Sequence, residues 1–331
     1  MNAILKLLLF IVFILILWEI EISYKFKPYL YLYPELYDDD KYNNIQLKKD
    51  DYPNKVFEDI EKGKKIAQNK TIAICGLCRN TEGSLKKMKK KLVNIGEKFK
   101  DYEIIIFEND SNDNTRNLLK EWTKENKKVT LLDCEEENCI LKEKHGYDGT
   151  NTKRLEKMAG FRERYLDYVK KSNKFDYMLV VDMDLEGNQV IDGIFHSIGQ
   201  DKEWGAIFIN GRSPLPVLNI SFLYDTIAHV PIDCPLDKIE SFRNKIAIFI
   251  CNYVLYNKNE LHEVISAFNG FGLYKVSALK NCSYKGNNNL CEHINLNLCM
   301  YLNGEKIYIN PLWKGYFNRQ GPNKGPLRKL L

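Results

Sequence analysis

The feature that most restricts the fold of this chain is an alternation of apolar and amphipathic segments between residues 70 and 184. The apolar segments are short and rich in β-branched and aliphatic residues, which is typical of strands buried in the middle of a parallel sheet. They are TIAICGL at 71–77, YEIIIFEND at 102–110, VTLLD at 129–133 and DYMLVVDMD at 176–184. This alternation predicts an α/β fold with a mixed, mainly parallel sheet whose strands are joined by crossover helices.

The segments between these strands have helical periodicity, and the second half of the chain adds further elements. Leucine, methionine, isoleucine and phenylalanine recur at helical spacing between residues 85 and 99, and a long helix is predicted over 152–171. The remaining predicted elements are strands at 204–210, 245–254, 269–275 and 306–311 and a helical segment at 290–304. We expect these elements to complete the same sheet, with helices covering both of its faces.

Three groups of polar residues directly follow predicted strands. They are Cys78-Arg79-Asn80, Glu108-Asn109-Asp110-Ser111 and Asp182-Met183-Asp184. Ligands of open α/β sheets bind beyond the carboxyl ends of the strands. If the strands run parallel, all three groups converge on one edge of the sheet, and that convergence indicates a site more strongly than any group alone.

The two aspartates after the fourth strand are candidate metal ligands. Residues i and i+2 of a strand point the same way, so Asp182 and Asp184 are expected to lie side by side. Two such carboxylates repel each other unless a cation neutralises them, and their oxygens suit Mg²⁺ or Mn²⁺. The alternative is two exposed acids at a strand end, one of which caps the next turn. Met183, between them, is expected to point into the core.

Two arginines belong to the predicted helix at 152–171. Arg162 falls on the same stripe as the apolar residues of this helix, and Arg154 lies near its start. An arginine on an apolar face needs an anion or a carboxylate as its partner. Both residues are therefore candidates for contact with a diphosphate, and the alternative for Arg162 is a buried pair with a structural Glu or Asp.

Two further segments complete the set of candidate site residues, one after the second predicted strand and one at the start of the last predicted helix. Glu108, Asp110 or Ser111 can bond the edge of a base or a ribose hydroxyl, or the loop around them can simply cap the following helix. Glu292 is a candidate general base for an acceptor hydroxyl, and His293 is a candidate third metal ligand. The alternative at this second position is an ordinary helix start, where an acid is favoured by the helix dipole.

The amino terminus reads as a membrane anchor followed by a stem. LLLFIVFILILW at 7–18 is an unbroken apolar run, which is short for a span of about 20 residues and is not followed by the small residues of a cleavage site. We therefore expect an uncleaved signal anchor within 1–23, with 4–22 in the membrane, a stem at 24–69 and the main domain at 70–331. A single-pass type II arrangement facing a secretory (ER/Golgi) lumen is the expected topology.

Charge and cysteine content add few constraints. The chain has 49 basic and 44 acidic residues, and this small, dispersed excess does not indicate a nucleic-acid partner. The C-x-x-C formed by Cys75 and Cys78 has no second pair at zinc-site spacing. Two cysteine pairs are candidates for loop disulfides in a lumenal chain. They are Cys134 with Cys139 and Cys282 with Cys291.

The order of these segments resembles a known enzyme family. IAICGLCRN, IIIFENDSNDNT, YMLVVDMDL, NGFGLYK and CEHINLNLCMYLNGEKIYINP resemble, in that order, nucleotide-sugar glycosyltransferases of the GT-A fold. More narrowly, they resemble the cryptococcal mannosyltransferase-like proteins and related transferases of microbes and large DNA viruses. The resemblance covers about residues 70–317. It implies one Rossmann-like domain that moves a hexose, with mannose as a candidate, from a nucleotide-diphosphate donor to a glycan or protein acceptor.

The resemblance also implies roles for individual residues, with Mn²⁺ or Mg²⁺ as the cofactor. Asp184 would be the main metal ligand, Asp182 would touch the ribose or the metal through water, and His293 would also bind the metal. Asp110 and Glu108 would contact the nucleoside, Arg79 and Asn80 would line its pocket, and Glu292 would lie near the acceptor. The sequence ENDSND departs from the paired aspartates before Gly-Ser of many inverting transferases, which leaves the base and the stereochemical outcome open.

Two other functions are compatible with the D-x-D motif. In a phosphatase of the haloacid dehalogenase type, Asp182 would attack phosphorus, but there the motif usually opens the domain and here it follows three strands. The other alternative is a non-catalytic surface or virion protein that keeps the fold. In a lumenal chain, the N-x-S/T sites at Asn69, Asn109, Asn219 and Asn281 are available for glycosylation, and we expect Asn109 to stay unmodified because it faces the site.

Overall fold

The computed structural model describes residues 47, 49–134, 139, 142, 151–186, 189–215, 220–239 and 259–319. The predicted membrane segment at 4–22, the stem up to residue 46 and the predicted strand at 245–254 lie outside these residues. Within the described ranges, no helix is both long enough and apolar enough to cross a bilayer.

The centre of the molecule is a ten-stranded sheet. Its strands lie in the order β3-β2-β1-β4-β10-β6-β11-β9-β8, and β7 pairs with β6. A separate pair joins β12 to β5. The strand bounds are β1 Thr71–Cys78, β2 Asp101–Glu108, β3 Val129–Asp133, β4 Tyr177–Asp182, β5 Leu185–Glu186, β6 Ala206–Leu215, β7 Ile220–Leu223, β8 Val230–Pro231, β9 His262–Ser266, β10 Phe271–Lys275, β11 Ile307–Tyr316 and β12 Asn318–Arg319.

The direction of the strands confirms a mixed sheet. β3, β2, β1 and β4 are mutually parallel, β10 runs antiparallel to both β4 and β6, and β11 runs parallel to β6. Among the described strands of this sheet, only β7, β9 and β10 run against the common direction. The α/β mixed sheet, mainly parallel and flanked by helices, fits the GT-A fold that the resemblance implies.

The strand order contains a topological switch point between β1 and β4. The chain moves outward from β1 to β2 and β3, and then returns to place β4 on the other side of β1. In open α/β sheets the loops diverge at such a point and leave a crevice beyond the carboxyl ends of the two strands. The polar groups that follow β1 and β4 are therefore expected to line this crevice.

Helices cover both faces of the sheet. Their bounds are α1 Asn54–Ala67, α2 Glu82–Gly96, α3 Thr115–Glu125, α4 Thr152–Ser172, α5 Asp192–Gly199 and α6 Glu292–Leu302. One apolar core joins α1, α2, α3 and α5 to one face, and a second joins α4 and α6 to the other. The alternation of each strand distributes its residues between them, so that Ile72 and Ile74 enter the first core and Ala73 and Cys75 the second.

The predicted stem includes a helix that packs on the sheet domain. α1 crosses α5 at two glycines, where a Cβ added to Gly63 would overlap the Phe195 carbonyl oxygen and one added to Gly199 would overlap that of Asp59. The backbone N–H of Leu47 also donates a hydrogen bond of 2.9 Å to the buried Asp192 carboxylate. The described part of the predicted stem is thus held against the domain by backbone contact and by burial.

One of the two predicted cysteine pairings is wrong. Cys134 is bonded to Cys139, as predicted, whereas Cys282 is bonded to Cys299 and Cys291 is a free, buried thiol. Cys299 lies about two turns along α6 from Cys291, and its bond to Cys282 ties the helix to the segment that precedes it. Sequence spacing alone could not distinguish the two partners, because both lie within one helical segment.

Candidate active site

The three polar groups that follow β1, β2 and β4 meet at one edge of the sheet. The register pairs Cys78 with Glu108, and Leu77 with Asp182, so the three strands end side by side. The convergence predicted from the sequence therefore holds in the structure. It arises because these three strands are parallel neighbours and end within one residue of each other.

The two aspartates of the D-x-D motif occupy different local structures. β4 ends at Asp182, and Asp184 lies in the following turn. The prediction that both carboxylates belong to one strand is therefore wrong. The Met183 side chain is buried as expected and packs over Gly76 of β1, where a Cβ would come within 2.7 Å of its Cγ. A glycine at this position of β1 is what lets the chain fold over the strand end.

Both oxygens of the Asp182 carboxylate accept hydrogen bonds from protein side chains. Nη2 of Arg162 lies 3.4 Å from Oδ1, and the Tyr224 hydroxyl donates to Oδ2 over 3.2 Å. Asp184 is half-buried at the sheet edge. The two acids are therefore in different settings: Asp182 is held by a cation and a hydroxyl, and Asp184 lies in the turn after the strand.

Arg162 is the centre of a buried polar cluster beneath this edge. Its Nε donates to Oε1 of Glu292 over 2.8 Å, and its Nη1 donates to the Tyr165 hydroxyl over 3.1 Å. The guanidinium also lies 5.2 Å from the centre of the Phe268 ring. Burial disfavours the charged form, but the adjacent Tyr165 and Glu292 outweigh it and raise the Arg162 pKa well above its usual value. The buried carboxylate pair, which the sequence left as an alternative, is what the structure contains.

Glu292 and His293 form the first turn of α6, and both are buried. Besides the Arg162 contact, the Cys291 thiol donates to Oε2 of Glu292 over 3.5 Å. The His293 ring stacks on Phe268 with 3.7 Å between ring centres. Burial, and then the charge of Arg162, lower the His293 pKa well below its usual value, so the imidazole is neutral.

The predicted metal ligands do not form one group. Among the described residues, no three His, Cys, Asp or Glu side chains are grouped so that they could hold a metal ion. Asp182 and Asp184 lie at the sheet edge and offer the carboxylate oxygens that Mg²⁺ and Mn²⁺ prefer. His293 is buried in the interior, where its ring stacks on Phe268. Of the three predicted ligands, the structure therefore leaves the two aspartates at the sheet edge and does not bring His293 to them.

Glu108 has a structural role that differs from its predicted contact with the nucleoside. Its carboxylate is fully buried, accepts the backbone N–H of Ser111 over 2.8 Å and pairs with Nε of Arg116 over 2.6 Å. Arg116 also reaches Asp133 at the end of β3, over 3.2 Å. Through these contacts Glu108 fixes the loop after β2.

The loops after β1 and β2 are tied together by polar contacts. Nε of Arg79 lies 3.1 Å from Oδ1 of Asp110, and the backbone N–H of Asn80 donates to the Ser111 hydroxyl over 3.1 Å. Asn80 and Asp110 have φ angles of 54° and 37°, in the left-handed region that Asn and Asp tolerate better than most residues. The Arg79–Asp110 pair is partly exposed at the edge of the crevice. It presents one donor group and one acceptor group to any ligand bound there.

Arg154 lies in the first turn of α4, apart from the cluster around Arg162. Its backbone N–H donates to the side chain of Asn151, which caps the helix, over 3.2 Å. Its side chain is half-buried. Arg154 and Arg162 are two helical turns apart, so the structure brings Arg162 to Asp182 and leaves Arg154 at the start of the helix.

Sequence reasoning missed the aromatic residues of the site. Tyr224 follows β7 and reaches Asp182, while Tyr165 and Tyr284 share a hydrogen bond of 3.3 Å beside Arg162. Phe268 lies near both Arg162 and the His293 ring in the same cluster. Tyr165 had a usable signal, because it falls on the buried stripe of α4 next to Arg162. Tyr224 had none, since its segment shows no strand or helix periodicity.

Part of the chain is similar to a glycosyltransferase family model. Residues 73–139, which run from β1 to the loop after β3, match the model described as glycosyl transferase family 2. No curated protein sequence is significantly similar to the chain. The match supports the broader resemblance to glycosyltransferases and does not address the narrower one to the cryptococcal and viral proteins.

Several solved structures are similar at low sequence identity. TarS 1–349 of S. aureus has a TM-score of 0.43 and 12% identity over 74% of this chain and 60% of that one. Mannosyltransferase PcManGT of Pyrobaculum calidifontis, in complex with GDP-Man and Mn²⁺, has a TM-score of 0.45 and 10% identity over 82% and 67%. GalNAc-T7 with UDP, GalNAc and Mn²⁺ has a TM-score of 0.44 and 11% identity over 76% and 45%. This chain therefore spans about 60% of the length of the TarS chain.

Proposed function

We propose that this protein is a glycosyltransferase that moves a sugar from a nucleotide-diphosphate donor to a hydroxyl of a glycan or protein acceptor. The observation that carries the proposal is the meeting of Arg79, Asp110, Asp182 and Asp184 at the switch point of the sheet. The match of residues 73–139 to a glycosyl transferase model supports it independently. Mannose as the sugar is a narrower proposal that rests on the resemblance alone.

Asp184 and Asp182 are the residues that would hold a divalent ion, with Asp184, in the turn after β4, as the more direct ligand. Mn²⁺ or Mg²⁺ bound there would stabilise the negative charge that develops on a departing diphosphate. Arg162 and Tyr224 keep the Asp182 carboxylate in one orientation through its two oxygens. The Arg79–Asp110 pair is positioned to contact the nucleoside, because it lies at the adjacent strand ends.

Glu292 is the proposed general base on the acceptor side. In the transfer, the acceptor oxygen bonds to the anomeric carbon, the bond from that carbon to the diphosphate oxygen breaks, and the acceptor proton goes to a Glu292 carboxylate oxygen. The transition state has oxocarbenium character, as in glycoside hydrolysis, so no covalent enzyme intermediate is needed in a direct displacement. The assignment of Glu292 follows from its place in the buried cluster that also holds Asp182.

The wider setting of the domain is also proposed. A signal anchor within 1–23, a stem reaching to residue 69 and a secretory lumenal location would suit a transferase that acts on glycans or secreted proteins. The two disulfides, Cys134–Cys139 and Cys282–Cys299, support an oxidising compartment, because such bonds are rare in the cytosol of mesophiles.

The decisive experiment measures nucleoside-diphosphate release from a panel of UDP- and GDP-sugars with Mn²⁺, using the full-length chain in detergent. We expect release with at least one donor. In Asp184→Ala we expect a fall in rate of about 100-fold or more, because the proposed direct ligand of the divalent ion is lost. The control is Asp167→Ala, which removes an exposed acid from α4 and leaves the strand ends unchanged.

Two results would contradict the proposal. One is full activity in a folded Asp184→Ala variant, and the other is no release from any donor by a wild-type protein with a cooperative thermal transition. Thermal shift with nucleotides refines the donor: stabilisation by GDP or GDP-mannose alone supports mannose, and stabilisation by UDP alone counts against it. Release of inorganic phosphate from phosphate esters by the wild type, and its loss in Asp182→Asn, would instead identify a phosphatase.

A further inference from the structure

Arg162 is the residue that connects the two sides of the proposed site. It lies on α4, while its partners Asp182 and Glu292 lie at the end of β4 and at the start of α6. The N–O distances are 3.4 Å to Asp182 and 2.8 Å to Glu292, through two different nitrogens of one guanidinium.

The charge balance of this cluster requires the arginine. Glu292 is 5% exposed, and one end of the Asp182 side chain faces the same interior. A buried carboxylate without a cation is strongly disfavoured, and two of them close together are worse. Arg162 neutralises one negative charge and shares its hydrogen bonds between both acids, which makes their positions depend on each other.

The geometry favours arginine over lysine at this position. Arginine carries five N–H donors in a fixed plane, so Nε, Nη1 and Nη2 can serve Glu292, Tyr165 and Asp182 at the same time. The Phe268 ring lies next to the guanidinium, with its centre 5.2 Å from Cζ of Arg162. A lysine has a single nitrogen and cannot reach three acceptors on three different elements.

We propose that Arg162 is a positioning residue that fixes Glu292 relative to Asp182, and that it makes no contact with the donor diphosphate. The catalytic consequence rests on the proposed function, in which Glu292 acts on the acceptor and Asp182 lies on the donor side. The positioning of Glu292 relative to Asp182 does not rest on the proposed function, because it concerns only contacts inside the folded chain. Arg162 thereby couples the acceptor side of the crevice to the donor side.

The first test separates positioning from donor binding. In Arg162→Met we expect kcat to fall about 10- to 100-fold while KM for the donor changes less than about threefold, as for residues that orient others. Arg162→Lys should recover part of kcat, since it keeps the positive charge but lacks the planar set of N–H donors. The control is Arg164→Met, the same change on the exposed side of α4. A rise in donor KM of tenfold or more with little change in kcat would overturn the proposal.

The second test needs no transferase activity. Removing Arg162 leaves Glu292 as an uncompensated buried charge, so Glu292→Gln should lower Tm in the wild type and raise it in the Arg162→Met background. If Arg162→Met does not fold, Arg162→Gln, which also removes the positive charge, replaces it in this comparison. The same shift of Tm in both backgrounds would show that the two residues are uncoupled and would refute the proposal. An inactive wild type with the expected reversal would refute the proposed function alone.

Discussion

At the scale of single residues, burial decides which side chains carry charge. His229 and His196 are 8% and 2% exposed, and burial lowers the pKa of each to about 4. His262 lowers the His229 pKa further, while Asn310 opposes part of the shift at His196. Neither ring nitrogen of His229 has a hydrogen-bond partner among the described residues. Both imidazoles are therefore neutral in the folded protein at pH 7.

These two histidines predict the pH dependence of stability. Their ordinary pKa is 6.5, so between pH 6.5 and pH 4 the unfolded chain binds more protons than the folded chain. The stability that each contributes is present above pH 6.5 and is lost as the pH falls. Each histidine should contribute a slope of about 1.4 kcal/mol per pH unit within this window.

His229→Leu tests this prediction. The free energy of unfolding is measured with urea from pH 4.5 to 7.5. Its slope against pH should be smaller in the variant by about 1.4 kcal/mol per pH unit, the contribution of one histidine. At pH 7.5 the change should be small, because a neutral imidazole without hydrogen bonds is replaced by an apolar group of similar size. An unchanged slope would mean that His229 is accessible to protons in the folded state.

At the scale of the elements, the contact between α1 and α5 is set by two glycines. Gly63 and Gly199 let the helix backbones touch, and a Cβ at either would overlap a carbonyl oxygen of the other helix. Glycine disfavours a helix by about 1 kcal/mol relative to alanine, so its presence within both helices reflects this close approach.

Gly63→Ala should therefore destabilise the protein although alanine is the better helix former. Forcing a methyl group into a closed contact costs about 1–3 kcal/mol or more. The matched control is Gly160→Ala in α4, where an added Cβ meets nothing within 4 Å. That change should stabilise the protein by up to about 1 kcal/mol. Urea unfolding of both variants gives the comparison, and equal effects would show that α1 does not cross α5 this closely.

At the scale of the whole molecule, α1 belongs to the packed domain. Val56, Ile60 and Ala67 are buried in the same core as the central strands, and Leu47 is hydrogen-bonded to Asp192. A chain that begins at Lys70 would expose this surface to solvent. Apolar surface contributes about 25 cal/mol per Å² when it is buried, so the loss of three such side chains is large relative to the stability of a typical domain.

A pair of truncations tests this organisation. The chain beginning at Leu47 should unfold cooperatively with a Tm close to that of the full-length protein in detergent. The chain beginning at Lys70 should have a much lower Tm or should aggregate, since it lacks α1. Equal thermal stability of the two would support the sequence-based boundary at residue 70. The first truncation is also the better starting material for measurements of donor binding.

The sequence by itself determined the α/β class, the positions of the first four strands and the edge of the sheet at which their polar ends meet. These follow from local rules: the apolar segments of β1, β2, β3 and β4 are long enough to be strands, and polar residues occur where each strand ends. Asp182, Asp184, Asp110 and Arg79 could be selected on that basis alone, because parallel neighbours end on the same side.

The tertiary structure alone decided which of these residues pair with each other. Arg162 and Glu292 are 130 positions apart and meet through packing of α4 against α6, and Glu108 turns from the crevice to Arg116. The partner of Cys282 and the Tyr224 contact to Asp182 also depend on how separate elements pack. Periodicity describes one element at a time, whereas the state of a buried charge depends on the neighbours that packing brings to it.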